Sequence, residues 1–160
     1  MHGLIAAVTA GILSLVPHWT SDKAKVRAKS YATIIVEESQ AVQPQIDPFL
    51  VVAIAFRESS FRPKVKGKRG EVGLMQVLPQ GALTRAITRH RKNGKGLMEV
   101  RSNIRTGIGH LNYWQKKCGE NRMDVWLSAY NSGQCRRTKY YKRIRRVYCS
   151  IKPGGCNNIS

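Results

Sequence analysis

The segment that begins at Asp47-Pro48 constrains the fold most strongly, because it marks the start of an apolar helix. Aspartate is a favoured N-cap residue, and proline is favoured at the first position of a helix. The helix is predicted to end at about Glu58 or Ser59. Residues three, four and seven positions before Glu58 share its face of the helix, and all three are apolar: Ala55, Ile54 and Val51.

Glu58 is therefore expected on an apolar stripe, where an isolated carboxylate is disfavoured as an anion. The negative end of the helix dipole opposes its ionisation further. We expect a raised pKa and a protonated carboxyl near neutral pH, which is what a general acid requires. Position alone also fits a glutamate that pairs with a buried arginine or frays into solvent.

The rest of the chain is also predicted to be almost entirely helical, as one domain without internal repeats. Its 160 residues are enough to bury a core without external staples. A basic, glycine-rich loop is expected from Arg62 to Val72. The other helices are predicted over Lys23 to Gln40, Pro79 to Arg91, Ser102 to Lys117, Arg122 to Asn131 and Arg136 to Tyr148, with Asn93 to Gly96 as a break and a turn at Pro153-Gly154-Gly155.

The chain carries 28 Lys and Arg against 9 Asp and Glu, a net charge of +19. Such a field implies an anionic partner and a salt-dependent encounter with it. Nucleic acid, anionic lipid or lipopolysaccharide, and the carboxylate-bearing stem peptides of a bacterial wall all qualify. In the last predicted helix the apolar residues, Tyr140 among them, fall at helical spacing and are expected to pack on the core, with the cations on a solvated face.

Four cysteines lie at positions 118, 135, 149 and 156. Their spacings lack the short pairs that zinc sites use, so we expect two disulfides and no metal site. A helix from Arg136 to Tyr148 would hold Cys135 and Cys149 about 20 Å apart, too far for a bond. Two pairings stay open: Cys118–Cys149 with Cys135–Cys156, which an antiparallel helix pair favours slightly, or Cys118–Cys135 with Cys149–Cys156.

The N-terminal segment, residues 1–22, is interpreted apart from the main domain, residues 23–160. Leu4 to Val16 is an apolar run of 13, shorter than the ~20 residues that span a bilayer. It has the length of a signal-peptide core, but no Lys or Arg precedes it. A signal, a membrane anchor and a docking segment therefore all remain open.

Four short strings follow one another at characteristic spacing. They are Glu58-Ser59-Ser60-Phe61, Gly73-Leu74-Met75-Gln76, Asn103-x3-Gly107-x2-His110-Leu111 and Ala129-Tyr130-Asn131-Ser132-Gly133. Together they make the chain resemble the catalytic domain of soluble lytic transglycosylases, which are goose-lysozyme-like enzymes. The resemblance spans roughly Asp47 to Gly133. It implies an all-α, lysozyme-like domain whose cleft cleaves the β-1,4 bond between N-acetylmuramic acid and N-acetylglucosamine.

In that family one glutamate protonates the leaving oxygen and then deprotonates the muramic acid 6-hydroxyl. This hydroxyl attacks the anomeric carbon of its own sugar and gives a 1,6-anhydro product. Intramolecular attack needs no activated water, so proximity replaces the second carboxylate of ordinary glycosidases. The resemblance assigns both steps to Glu58 and implies no cofactor.

The resemblance also implies substrate contacts, from Ser59, Gly73, Met75, Gln76, Tyr130 and Asn131. Tyr130 is expected near Glu58, where its hydroxyl would orient the carboxyl. His110 is interpreted as a surface or packing residue. The chain departs from the family pattern at Gly67, where serine is common, at Leu78, where methionine is usual, and at Glu71, where many members have alanine.

Two alternatives remain open. Glu71 is a candidate second carboxylate that would orient water and make the chain a hydrolytic muramidase, or it is a loop charge that balances nearby cations. A non-catalytic, cationic wall- or DNA-binding virion component is the other reading, although no motif indicates specific nucleic-acid recognition. We expect a periplasmic or extracellular protein that suits a phage particle, an exported enzyme or a secretion system. Expected partners are peptidoglycan strands, anionic wall or outer-membrane polymers at the basic surface, and virion or secretion proteins at the N-terminus.

Overall fold

The computed structural model describes residues 1–88 and 94–156, and this part of the chain is helical with only isolated β-bridges. The predicted all-α class is confirmed. The elements in chain order are α1 (His2–Leu15), α2 (Asp22–Gln40), α3 (Pro48–Ser59), α4 (Ala82–Thr88), a 3-10 helix (Gly94–Met98), α5 (Val100–Cys118), α6 (Met123–Ser132) and α7 (Lys139–Ile151).

Helix α3 lies at the centre of the fold. Its N-cap is Asp47, whose carboxylate accepts a hydrogen bond from the backbone amide of Phe49 at 2.9 Å. Helices α1, α2 and α7 all pack against it. Every residue from Phe49 to Ala55 is buried, so the helix is covered on more sides than the predicted stripe. Glu58 therefore stands in the last turn of a helix that the core holds in place.

Helix α1 packs against α2 and α3. Val8 and Ile12 are fully buried, and Gly11 lies close to the side chains of Phe49 and Ile151. Among residues 1–88 and 94–156, no helix has both the length and the apolar character needed to cross a membrane. The division at residue 22 and the role of the segment before it as signal, anchor or docking element stay predictions.

Helix α7 begins three residues later than predicted, because Thr138 caps it. The Thr138 hydroxyl accepts a hydrogen bond from the backbone amide of Tyr140 at 3.2 Å. Tyr141, Ile144 and Tyr148 are buried, which confirms that this helix packs its apolar face on the core. At its C-terminal end, Tyr148 donates a hydrogen bond to Asp47 at 2.6 Å and so ties α7 to the start of α3.

The disulfides are Cys118–Cys135 and Cys149–Cys156, with Cα–Cα distances of 5.4 and 5.1 Å. The slight preference for Cys118–Cys149 is therefore wrong. Helix α6 packs on α5, so the chain that leaves α6 brings Cys135 back to the end of α5. Cys149 lies in the last turns of α7, and the turn at residues 153–155 returns Cys156 to it.

The other predicted helices differ from the structure mainly at their ends. Helices α5 and α6 lie within two residues of their predicted bounds. Helix α4 starts at Ala82, three residues after Pro79. The predicted continuation of this helix to Arg91 and the break at Asn93 fall partly on residues 89–93, which lie outside the described residues.

Candidate active site

The carboxyl of Glu58 is held by a tyrosine from the last helix. The hydroxyl of Tyr140 donates a hydrogen bond to Glu58 Oε1 at 2.7 Å. The two residues are 82 positions apart in sequence, and they meet because α7 packs along α3. The remaining oxygen, Oε2, is the one that carries a proton when the carboxyl is neutral and Tyr140 stays the donor.

Burial raises the pKa of Glu58, as the sequence predicts. The hydrogen bond from Tyr140 acts in the opposite direction, because it stabilises the anion. The negative charge of Glu71 raises the pKa further, whereas Arg57 and Arg69 lower it. Desolvation is the largest of these effects, and it produces a carboxyl that keeps its proton to higher pH than an exposed glutamate.

A second tyrosine supports the first. The rings of Tyr130 and Tyr140 stack with their centroids 6.5 Å apart and their planes 22° from parallel. The hydroxyl of Tyr130 donates to the backbone carbonyl of Met75 at 2.7 Å, and not to Glu58. Burial raises the pKa of both hydroxyls well above the usual value, so both stay neutral donors. The orienting contact expected of Tyr130 is thus made by Tyr140.

Residues Gly73 to Gln76 form a tight turn, and Asn103 of α5 holds this turn by hydrogen bonds. Asn103 donates to the carbonyl of Val72 at 2.8 Å and accepts from the amide of Met75 at 2.8 Å. Gly73 has a φ of 78°, and a Cβ there would lie 2.3 Å from the Asn103 amide nitrogen. Glycine is therefore required at this position for both conformation and space.

The side-chain amide nitrogen of Gln76 is already engaged in hydrogen bonds. Its nitrogen donates to the carbonyls of Gly73 at 2.9 Å and Val65 at 3.2 Å. Because an amide nitrogen has two hydrogens, these contacts use its donor capacity. A new contact with a sugar would fall to the carbonyl oxygen of the side chain.

These residues surround a cavity of about 510 Å³, which we call the cleft. Glu58 and Glu71 both lie in its wall, together with Gln76, Leu78, Gly67, Arg69, His110, Trp114, Tyr130 and Asn131. Burial lowers the pKa of His110 to about 4, so this ring is neutral at physiological pH. His110 lies 3.0 Å from the hydroxyl of Thr84 and packs edge-on to Tyr130, in keeping with its interpretation as a packing residue.

Glu71 lies in the same cleft but in a different environment. Its carboxylate accepts from the guanidinium of Arg69 at 2.7 Å and from the Arg69 backbone amide at 3.0 Å. Burial acts to raise its pKa, but hydrogen bonds from its own and the Arg69 backbone and from the Arg69 side chain outweigh this effect. The pKa of Glu71 is lowered as a result, and the group is an anion at neutral pH.

Gly67 leaves the space that the Glu71 carboxylate uses. A Cβ at position 67 would lie 2.5 Å from Glu71 Oε2 and 2.7 Å from Gln76 Oε1. The two departures from the family pattern, glycine at 67 and glutamate at 71, are therefore packed against each other.

Two of the predicted contact residues lie beneath the cleft surface. Ser59 is buried, and its hydroxyl bonds the carbonyls of Ala55 at 3.0 Å and Leu74 at 2.9 Å, which ties α3 to the turn. Met75 is fully buried against Gly107, where a Cβ would lie 2.4 Å from its sulfur. Direct substrate contacts by these residues stay predictions.

Tyr140 is the site residue that sequence reasoning missed. Its helical spacing with Tyr141 and Ile144 indicated a core residue, and no local motif surrounds it. Only the packing of α7 beside α3 reveals its contact with Glu58. The one signal in the sequence is general: a partly buried tyrosine hydroxyl usually has a hydrogen-bond partner. The sequence does not show which residue that partner is.

Comparison with known proteins places this chain in a family. The model of the transglycosylase SLT domain matches residues 21–147. The soluble lytic murein transglycosylase of Salmonella typhimurium is 39% identical over 87 residues, covering 51% of this chain and 13% of that protein. The membrane-bound lytic murein transglycosylase C of Haemophilus influenzae strain PittEE is 31% identical over 119 residues, covering 68% of this chain and 33% of that protein.

Solved structures show the same fold. The 70-kDa soluble lytic transglycosylase in complex with bulgecin A matches with a TM-score of 0.57 at 20% identity, covering 92% of this chain and 26% of that chain. The 70-kDa enzyme from Escherichia coli at 1.65 Å matches with a TM-score of 0.54 at 21% identity, covering 89% of this chain and 25% of that one. The expected lysozyme-like architecture is confirmed, although the chain spans only 13 to 33% of the curated relatives' length. The chain belongs to the transglycosylase SLT domain family.

Proposed function

We propose that this chain is a peptidoglycan lytic transglycosylase that cleaves the β-1,4 bond between N-acetylmuramic acid and N-acetylglucosamine. The observation that carries the proposal is a carboxyl with a raised pKa, held by a tyrosine in the wall of a cleft. A general acid for a glycosidic oxygen needs these properties. Family membership supplies the substrate class.

Glu58 acts in both steps of the proposed reaction. Its proton passes to the bridging oxygen as the glycosidic bond breaks, so that the departing sugar leaves as an alcohol. The Glu58 carboxylate then accepts the proton of the muramic acid 6-hydroxyl while O6 bonds to C1 of the same sugar. The proton balance of Glu58 is zero, no water is consumed, and the product carries a 1,6-anhydro ring.

Tyr140 acts through Glu58 as a positioning residue. Its hydroxyl fixes one carboxyl oxygen, Oε1, and leaves Oε2 to carry the proton. In the second half of the reaction the same hydrogen bond stabilises the carboxylate that has lost its proton. Its own pKa, raised by burial, keeps the hydroxyl protonated throughout.

Hydrolysis is the second candidate, because Glu71 lines the same cleft as an anion. An ionised carboxylate can accept a proton from a water molecule and orient that water for attack on C1. Its two hydrogen bonds from Arg69 weigh against this role, since they lower the pKa of the carboxyl and so make it a weaker base toward water.

Mass spectrometry of soluble products from purified peptidoglycan tests the proposal. We expect anhydro-muropeptides, lighter than hydrolysed ones by one water, from the wild type and from Glu71→Gln. Glu58→Gln should release them about 100- to 10,000-fold more slowly. Reducing-end products that disappear in Glu71→Gln would favour a muramidase instead. Full release by Glu58→Gln would contradict the role of Glu58, and no release by any protein would favour a binding role.

The proposed location is the periplasm or the extracellular space, where peptidoglycan is accessible and the two disulfides are stable. The net charge of +19 supports a further attraction to anionic wall or outer-membrane polymers. Association with a virion or a secretion apparatus through the N-terminus is part of the same proposal. Wall opening by such an enzyme would be local, because the charge holds it near its substrate.

A further inference from the structure

A cavity of about 1020 Å³ lies where the end of α1 meets the chain that leaves α3, and we call it the aromatic cavity. Residues 15, 16, 18 and 19 line it from one side, together with Arg27 of α2, Phe56 of α3 and residues 60–65. It shares no lining residue with the cleft, so the proposed reaction does not use it.

Aromatic side chains form one wall of the aromatic cavity. The ring centroids of Trp19 and Phe61 lie 6.1 Å apart, and those of Phe56 and Phe61 lie 6.0 Å apart. Phe61 is buried, and its φ of 58° is a left-handed conformation that a bulky residue rarely adopts. Such a conformation persists only where the surrounding packing enforces it, so this wall is fixed in position. Trp19 is partly exposed and presents its indole to the cavity.

Arg27, Arg62 and Lys64 place positive charge at the same cavity. The guanidinium of Arg27 lies over the Trp19 ring, 4.4 Å from its centroid, and Nε of Arg62 donates to the carbonyl of Ser59 at 3.0 Å. In the described part of the chain, none of these three cations forms an ion pair with a carboxylate within 4 Å. No Asp or Glu of that part lines the cavity either. An apolar wall therefore stands beside positive charge that no carboxylate neutralises.

Helix α1, which reaches this cavity at Leu15, contains no Lys, Arg, Asp or Glu. Its two hydroxyl side chains, Thr9 and Ser14, donate to backbone carbonyls of the same helix at 2.7 and 2.8 Å. Beyond His2 at its start, the helix therefore presents no charged group and no unbonded hydroxyl. A helix at the surface of a domain ordinarily has a charged or polar outer face. This one suits an apolar neighbour.

We propose that the aromatic cavity binds an anionic phospholipid, so that the domain docks on an anionic membrane surface. The phosphate would lie among the cations, and the first part of an acyl chain would lie against the aromatic wall. Arginine binds phosphate oxygens strongly, and an indole beside cations is typical of proteins at a membrane interface. This binding is independent of the proposed reaction.

Two other occupants fit the aromatic cavity less well. A free phosphate ion would use the cations but not the apolar wall, and the volume matches sites for ligands of drug size, roughly 300–1,000 Å³. An acidic protein segment would bring charged groups beside the uncharged helix α1, which offers them no partner. A lipid satisfies the cations, the aromatic wall and the adjoining helix together.

Flotation with vesicles tests the inference, using phosphatidylglycerol mixed with phosphatidylcholine, or phosphatidylcholine alone. The chain should bind the anionic vesicles, and Arg62→Ala/Lys64→Ala should weaken this binding about tenfold more than Lys142→Ala/Arg146→Ala does. The second pair is the matched control, because it removes the same charge from exposed residues of α7 that do not line the cavity. Equal losses in the two variants would overturn the inference, since net charge alone would suffice. Equal binding to the neutral vesicles would overturn it as well.

Tryptophan fluorescence locates the lipid on the protein. Acyl chains brominated near the headgroup should quench the wild type, and Trp19→Phe should lose most of this quenching while it still binds the vesicles. Trp114 and Trp126 are nearly buried and do not line the aromatic cavity. Quenching that survives in Trp19→Phe would place the lipid elsewhere and overturn the inference. Because phenylalanine keeps an aromatic ring at position 19, this measurement decides even if the double variant fails to fold.

Calorimetric titration separates a lipid from a free anion. The probes are dihexanoyl phosphatidylglycerol, kept below its micelle concentration, and inorganic phosphate. Binding of the soluble lipid that Arg62→Ala/Lys64→Ala weakens supports the inference, whereas equally tight binding of phosphate alone contradicts it. No binding of phosphatidylglycerol, in vesicles or in solution, would overturn the inference and leave a protein segment as the occupant.

Discussion

Glu58 and Glu71 are both glutamates in the wall of one cleft, yet their surroundings shift their pKa values in opposite directions. Glu58 ends a helix of the core, where burial raises its pKa and a neutral tyrosine holds it. Glu71 lies on a loop, where an arginine and backbone amides lower its pKa. Pairs of carboxyls that titrate apart are how an enzyme separates an acid from an anion. The pKa of each group is thus set by its neighbours and not by its residue type.

Removal of each carboxyl in turn should give the largest contrast. Glu58→Gln loses the only proton donor assigned to the reaction, so kcat should fall about 100- to 10,000-fold. Glu71→Gln should change kcat less than about threefold, because intramolecular attack needs no second carboxylate. Initial rates of anhydro-muropeptide release measure both. Equal losses in the two variants would show that the two carboxyls share the chemistry.

Removal of the Tyr140 hydroxyl should sharpen the contrast further. Tyr140→Phe deletes the hydrogen bond that holds the Glu58 carboxyl and stabilises its anion, and kcat should fall about tenfold. Because that bond lowers the pKa of Glu58, the alkaline limb of the rate profile should move to higher pH. Tyr141→Phe is the control, since its ring packs beside Arg137 and does not line the cleft. An unmoved pH profile in Tyr140→Phe would leave Tyr140 a packing residue.

The packing of Gly67 against Glu71 predicts a coupled pair. Gly67→Ser should displace the carboxylate of Glu71 and the amide of Gln76, and lower kcat/KM about threefold to tenfold. Gly67→Ser/Glu71→Ala restores the combination common in the family and should recover most of the loss. A double-mutant cycle on kcat/KM gives the coupling. Additive effects would mean that the two positions act separately.

The smallest expected effect concerns stability. The folded pKa of Glu58 is raised, so its contribution to stability is complete below the unfolded pKa and is lost as pH rises through the folded value. Glutamine does not titrate. The Tm of Glu58→Gln relative to the wild type should therefore increase from about pH 4 to about pH 7, by on the order of a few degrees. A relative Tm that falls over this range would contradict the assigned direction.

The helical class and the raised pKa of Glu58 could be predicted because both follow from local pattern. The Asp47-Pro48 helix start and the apolar residues that lead to Glu58 lie in one short segment of the chain. The disulfide preference failed because it depended on which helix packs beside the end of α5: α6 packs there and returns Cys135 to Cys118, whereas α7 packs on α3 and α6. Tyr140 was missed for a related reason, since its contact with Glu58 crosses 82 residues. Long-range packing decides such contacts, and one sequence does not reveal it.

The most direct test of the account is a carbon-13 NMR titration of the side-chain carboxyls in the wild type, assigned with Glu58→Gln and Glu71→Gln. We predict that Glu58 titrates above and Glu71 below the usual glutamate range. We also predict that Glu71→Gln lowers the pKa of Glu58, because a nearby negative charge is removed. A Glu58 that titrates at or below Glu71 would contradict the central claim, because Glu58 could not then be the proton donor of the cleft.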